Sequence, residues 1–98
     1  MGKKLEEIKT TFRIHKKELK NKYKVKQIGI FGSFARREQK RNSDVDVLVE
    51  FYETPDIFLL IDLEDYLKKL TGLKVDLVRK SLIRDELKED IEKETIYI

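Results

Sequence analysis

The sequence holds 98 residues, 40% hydrophobic and 42% charged, with a formal net charge of +3, a single histidine and no cysteine. That length suits one domain, residues 1–98, around one modest core. The composition excludes disulfides and thiolate metal sites and argues against a multi-histidine zinc centre.

The mildly basic balance is compatible with a phosphate-bearing ligand or an acidic partner and does not single out nucleic acid, so no direct nucleic-acid binding is expected. The longest apolar run, Ile57 to Ile61, is far too short to cross a bilayer. The opening "MGKKLEEIK" has no apolar signal core. A cytoplasmic protein without membrane contact is the expectation.

In chain order, Leu5, Ile8, Phe12, His15, Leu19 and Tyr23 recur at steps of three and four, which predicts one amphipathic helix. His15 lies on its apolar seam and reads as a core-edge residue, not a catalytic base. "VKQIGIFG" predicts a strand ending at Gly32, and "SFARREQ" a short helix from Ser33. Residues 40–43 read as a turn, and Arg37, Lys40 and Arg41 as a solvated basic loop. "DVDVLVEF" alternates strictly, with Val45, Val47, Val49 and Phe51 on one face and Asp44, Asp46, Leu48 and Glu50 on the other.

Thr54 and Pro55 suit the N-cap and first position of the next helix. Its apolar stripe is Leu59, Leu63, Tyr66, Leu67 and Leu70, and Gly72 is placed to end it in a left-handed cap. "LKVDLV" predicts a third strand with Asp76 opposite Val75 and Leu77. Ser81 is a candidate cap for a last helix carrying Ile83, Leu87 and Ile91, and "TIYI" a closing edge strand. Phe12, Phe31, Phe51, Phe58 and Tyr66 read as core rather than as platforms for a base. The fold class is α+β (α/β), with helices packed on a small mixed sheet.

The chemistry concentrates in "GIFGSFARREQKRNSDVDVLVEF". Strand geometry puts Asp44 and Asp46 on one face, about 6–7 Å apart. Two carboxylates that close oppose each other's ionisation, whereas a divalent cation reverses the sign of the interaction. Mg²⁺ takes oxygen ligands, commonly one or two carboxylates plus substrate phosphates. Gly32 allows close approach to the backbone, Ser33 adds a hydroxyl, and Arg36 is within reach of a phosphate oxygen. Asp76 completes the set if its strand neighbours that of Asp46. Three carboxylates bridging two Mg²⁺ ions suit in-line phosphoryl displacement, and Asp76 can take or orient the proton of an attacking hydroxyl.

Gly32-Ser33, ten intervening residues and then Asp44-Val45-Asp46 resemble the pattern of the polymerase-β-like nucleotidyltransferase superfamily. The run "FGSFAR…SDVDVLVEF", with "KVDLV" and an "IYI" tail, is similar to its minimal nucleotidyltransferase (MNT) branch, antitoxins paired with HEPN-domain toxins. The resemblance spans nearly the whole chain. It implies a small mixed sheet flanked by helices and Mg²⁺-dependent transfer of AMP from ATP to a tyrosine of a HEPN partner, whose RNase activity is thereby blocked. Gly32 and Ser33 carry over as triphosphate contacts, and Asp44, Asp46 and Asp76 as the catalytic, metal-binding carboxylates. One departure is Arg37, where family members often have glycine.

Two alternatives stay open on the residues. One is a non-catalytic antitoxin that neutralises its partner by docking, separated from the enzyme by whether Asp44→Ala still protects. The other is a transferase for a small acceptor such as an aminoglycoside, disfavoured because nothing in the chain remains to form an acceptor domain.

Overall fold

The strands β1 (Val25–Phe31), β2 (Val45–Phe51), β3 (Val75–Arg79) and β4 (Ile96–Tyr97) form one mixed sheet in the order β3-β2-β1-β4. The structure, a computed structural model, describes residues 4–98; the first three residues of the charged opening stretch lie outside it. β1 runs antiparallel to both of its neighbours, while β2 and β3 are parallel. Parallel neighbours need a crossover, and the helix α4 (Ile57–Thr71) provides it.

β-Branched residues set the sheet's buried face. Ile28, Ile30, Val45, Val47, Val49 and Val75 pack against Leu5, Ile8 and Phe12 of α1 (Leu5–Ile14), Leu19 and Tyr23 of α2 (Lys16–Tyr23), and Leu63 and Leu67 of α4. Each such side chain contributes about 1.5–3 kcal/mol on burial. Truncating the fully buried Phe12 to alanine removes about 3–5 kcal/mol, a large part of a small domain's stability. This is the α+β architecture expected from the element order.

β4 adds to the free edge of β1, with Gly29 opposite Tyr97 and Ile30 opposite Ile96. A Cβ on Gly29 would stand 2.6 Å from Thr95 Cγ2 and 3.1 Å from the Ile96 carbonyl oxygen. Glycine is what lets the last strand close against the sheet.

Local departures from the sequence reading have physical causes. The single first helix is two, broken at His15, which leaves helical geometry at φ −98°, ψ 11°. Its Nδ1–H donates to the Thr11 carbonyl at 2.8 Å, and its ring meets Tyr66 edge-on at 6.2 Å. The break keeps Phe12 and Leu19 both on the core. Asp56, not Thr54, caps α4, accepting from the Leu59 N–H at 2.8 Å. Pro55 precedes that cap and holds the approach extended. Ser81 lies in a short 3₁₀ turn (Lys80–Leu82), and the last helix, α5, runs Asp85–Glu94 with acidic residues in its first turn. Gly72 ends α4 at φ 69°, as its position suggests. Phe58 is not core: in the first turn of α4 it faces away from the sheet and is 73% exposed. Among the described residues no helix is long and apolar enough to cross a membrane.

Candidate active site

The parallel ladder pairs Asp46 of β2 with Asp76 of β3, between the Val45–Val75 and Val47–Leu77 pairs. Partners in a parallel ladder project to the same side, on strands about 4.8 Å apart. The flanking valines enter the core, so both aspartates leave through the other face. Asp44 immediately precedes β2, and strand alternation sets it on the side of Asp46. Its position is fixed from both directions. The Ser43 hydroxyl accepts from the Lys40 N–H at 2.7 Å, closing the expected turn, and the Val45 N–H donates to the Lys74 carbonyl at 2.8 Å, starting the ladder.

The three carboxylates share one electrostatic field. Burial pushes the Asp46 carboxyl above the ordinary value of 3.8, and the negative charges of Asp76 and Asp44 push it further. Arg36 opposes the shift and Glu94 adds to it. Asp44 and Asp76 are exposed and Asp46 half-buried. Among the described residues no three His, Cys, Asp or Glu side chains close into a ready metal cage. The aspartates share a face and a field without forming a complete shell. Their chemistry nevertheless fits Mg²⁺: hard oxygen donors only, with a central carboxylate whose ionisation its neighbours oppose.

The Gly-Ser element lies beside this pair. Gly32 opens α3 (Gly32–Ala35) at φ 72°, and a Cβ there would stand 2.9 Å from Asp46 Cγ. Two independent demands, a left-handed backbone and room for Asp46, therefore select glycine. α3 is a single turn beginning at Gly32, shorter than the helix expected from Ser33 to Gln39. Its donors are individual N–H groups, because one turn sums to little dipole. Ser33 is half-buried on this turn.

Arg37 leaves the turn at φ 59°, a left-handed conformation. This is the position where the sequence resemblance leads one to expect glycine. Its guanidinium donates to Glu6 of α1 at 2.9 Å, so it is not simply part of a solvated loop.

Arg36 is engaged on both sides. Its Nε donates to Glu38 Oε2 and its Nη1 to Glu94 Oε2, each at 3.0 Å. Its hydrogen bonds to the carboxylates of Glu38 and Glu94 raise its pKa further above the ordinary guanidinium value. The other oxygen of Glu94 accepts from the Gly32 N–H at 3.0 Å. Sequence reasoning missed Glu94. The signal was the register of the last strand: carrying the Gly29–Tyr97 and Ile30–Ile96 pairing forward sets Glu94 opposite Gly32.

A family model described as "Nucleotidyltransferase domain" matches residues 12–98. This chain belongs to that family. The nucleotidyltransferase is 57% identical over 97 residues to a Methanocaldococcus jannaschii chain provisionally named a protein adenylyltransferase, covering 98% of this chain and 99% of that one. It is 46% identical over 94 residues to the protein adenylyltransferase MntA of Thermococcus cleftensis, covering 96% and 95%. Among solved structures, the nucleotidyltransferase superposes on one provisionally named a minimal nucleotidyltransferase with a TM-score of 0.82 at 29% identity, covering 96% of this chain and 95% of that chain. A crystal structure of a toxin–antitoxin with AMP-PNP matches at a TM-score of 0.69 and 26% identity, covering 95% and 70%. The family expected from the Gly-Ser and Asp-Val-Asp elements is the one found, in its minimal form.

Proposed function

We propose that this nucleotidyltransferase is a protein adenylyltransferase that moves AMP from ATP to a tyrosine hydroxyl of a HEPN-domain toxin, and so acts as its antitoxin. The observation that carries the reading is the register pairing of Asp46 with Asp76 beside Gly32. Relatives named protein adenylyltransferases align end to end with this chain, and one related toxin–antitoxin was crystallised with AMP-PNP.

Asp44, Asp46 and Asp76 are the residues that would hold Mg²⁺. Bound there, Mg²⁺ would neutralise phosphate charge and favour the phenolate form of the attacking tyrosine oxygen. The Gly32 N–H, the Ser33 hydroxyl and the Arg36 guanidinium orient the phosphates by directional donation. The exposed Asp76 carboxylate takes the proton of the tyrosine hydroxyl as its oxygen bonds to the α-phosphorus. The bond from that phosphorus to the bridging oxygen breaks, and pyrophosphate leaves.

The test uses α-labelled ATP with this chain and a HEPN-domain partner, sought first in the adjacent reading frame. Label is expected on a partner tyrosine, only with Mg²⁺, and to vanish with Asp46→Asn. Protection of cells from the toxin by Asp46→Asn at wild-type strength, with no label transferred, would replace this reading with neutralisation by docking alone.

A further inference from the structure

The Glu94 carboxylate bridges the two donors that the proposed function assigns to phosphate. Its Oε1 accepts from the Gly32 N–H and its Oε2 from Arg36 Nη1, both at 3.0 Å. A backbone amide carries one proton. A phosphate oxygen that takes the Gly32 N–H therefore has to displace Glu94 Oε1. The geometry, a planar carboxylate with one donor on each oxygen, is the one a phosphate's two oxygens would adopt on the same pair.

We propose that Glu94 is an internal phosphate surrogate: it occupies the nucleotide's donors in the free protein and must withdraw for Mg·ATP to seat. The inference rests on the nucleotidyltransferase reading of this site and adds to it a residue that sets nucleotide affinity.

The surroundings suit a side chain that leaves. Glu94 is the last residue of α5, a helix none of whose residues is buried. Its side chain is partly exposed, so water can accept it on release. The residue after it is anchored: the Thr95 N–H donates to the Ile91 carbonyl at 3.0 Å and its hydroxyl donates to the same oxygen at 2.6 Å. β4 then fixes Ile96 and Tyr97 on β1. Withdrawal thus leaves β4 in place and removes the tie that holds the end of α5 to Gly32 and Arg36. Charge gives the withdrawal its direction. Glu94 adds to the negative field around Asp46, so an arriving triphosphate repels it while competing for Arg36. Once Glu94 has gone, Arg36 keeps Glu38 on its Nε and offers Nη1 to phosphate.

The competition predicts a sign that a merely structural contact does not. Glu94→Gln and Glu94→Ala should each bind Mg·ATP about tenfold more tightly than the wild-type chain, by titration calorimetry. In the transfer reaction the KM for ATP should fall with kcat changed less than about threefold. Weaker or unchanged Mg·ATP binding in both variants would overturn the inference and leave Glu94 as a scaffold for Arg36. No binding of Mg·ATP by wild type or by either variant would overturn the nucleotidyltransferase reading along with it.

A second measurement needs no substitution. Saturating the wild-type chain with Mg·ATP should speed amide hydrogen exchange across residues 85–94, because α5 loses its bridge to Gly32 and Arg36. Slower exchange there would show Glu94 still engaged in the complex and would contradict the proposal.

Discussion

Asp46 and Asp76 come from segments thirty residues apart, yet they are direct partners across a parallel strand pair. Nothing in either segment alone demands this. It follows from α4 carrying the chain back beside β2, in a register that buries Val45, Val47 and Val75 together. A slip of one residue would turn Asp76 into the core and Leu77 out of it, so the hydrophobic pattern that makes the sheet also pairs the carboxylates.

That pairing has a cost in the free protein. Burial, then Asp76 and Asp44, raise the Asp46 pKa above 3.8. Between 3.8 and the higher folded value, the folded state holds a proton that the unfolded state releases. Stability therefore falls as pH rises through this window and stays lower above it. Asp46→Asn removes the effect. Its Tm at neutral pH should exceed that of wild type without metal, with the gap opening as pH rises through the window. Adding Mg²⁺ should raise the wild-type Tm and leave the variant's unchanged. Scanning calorimetry across pH, with and without Mg²⁺, checks both.

Gly32→Ala should be damaging out of proportion to one methyl group. The residue sits at φ 72°, where a side chain costs about 1–2 kcal/mol, and the new Cβ would stand 2.9 Å from Asp46 Cγ. We expect a loss of about 2 kcal/mol in urea unfolding together with loss of Mg·ATP binding, because Asp46 has to move. A variant as stable as wild type would show that the glycine turn is not under this constraint.

Tyr66 tests the scaffold behind the site. Its hydroxyl donates to Glu18 Oε2 at 2.8 Å, and its ring stacks on Tyr23 with centroids 4.9 Å apart, joining α4 to α2. Burial and then the Glu18 carboxylate hold its ionisation well above the ordinary 10.0. Tyr66→Phe keeps the stacking and removes only the hydrogen bond. It should cost about 1 kcal/mol, or about 4–8 °C in Tm, with the transfer rate unchanged. A large fall in rate would mean that this pairing reaches the carboxylates.

Much of this was legible in the sequence because it rests on periodicity and on residue types with few structural uses. The alternation through residues 44–51 named the face of Asp44 and Asp46, and Gly72 marked the end of α4. What escaped depended on contacts between distant segments. The break at His15 keeps two helices on one sheet, which a continuous three-and-four spacing does not reveal. The cap fell to Asp56 because Pro55 directs the chain past Thr54. Phe58 is exposed because the sequence shows that a residue is apolar, not which turn of a helix reaches the sheet. Glu94 was invisible because "TIYI" can be read as an edge strand without knowing that it joins β1, and only that choice carries Glu94 to Gly32.

Asp76 decides the account, since its role rests on the strand pairing and not on a local motif. Single-turnover transfer of AMP from α-labelled ATP to the proposed HEPN-domain partner should be measured for wild type, Asp46→Asn and Asp76→Asn at matched Mg²⁺, with folding checked by circular dichroism. The account predicts that both variants stay folded and that each slows transfer by about 10³-fold or more. A folded Asp76→Asn that transfers AMP within a factor of about two of wild type would contradict it.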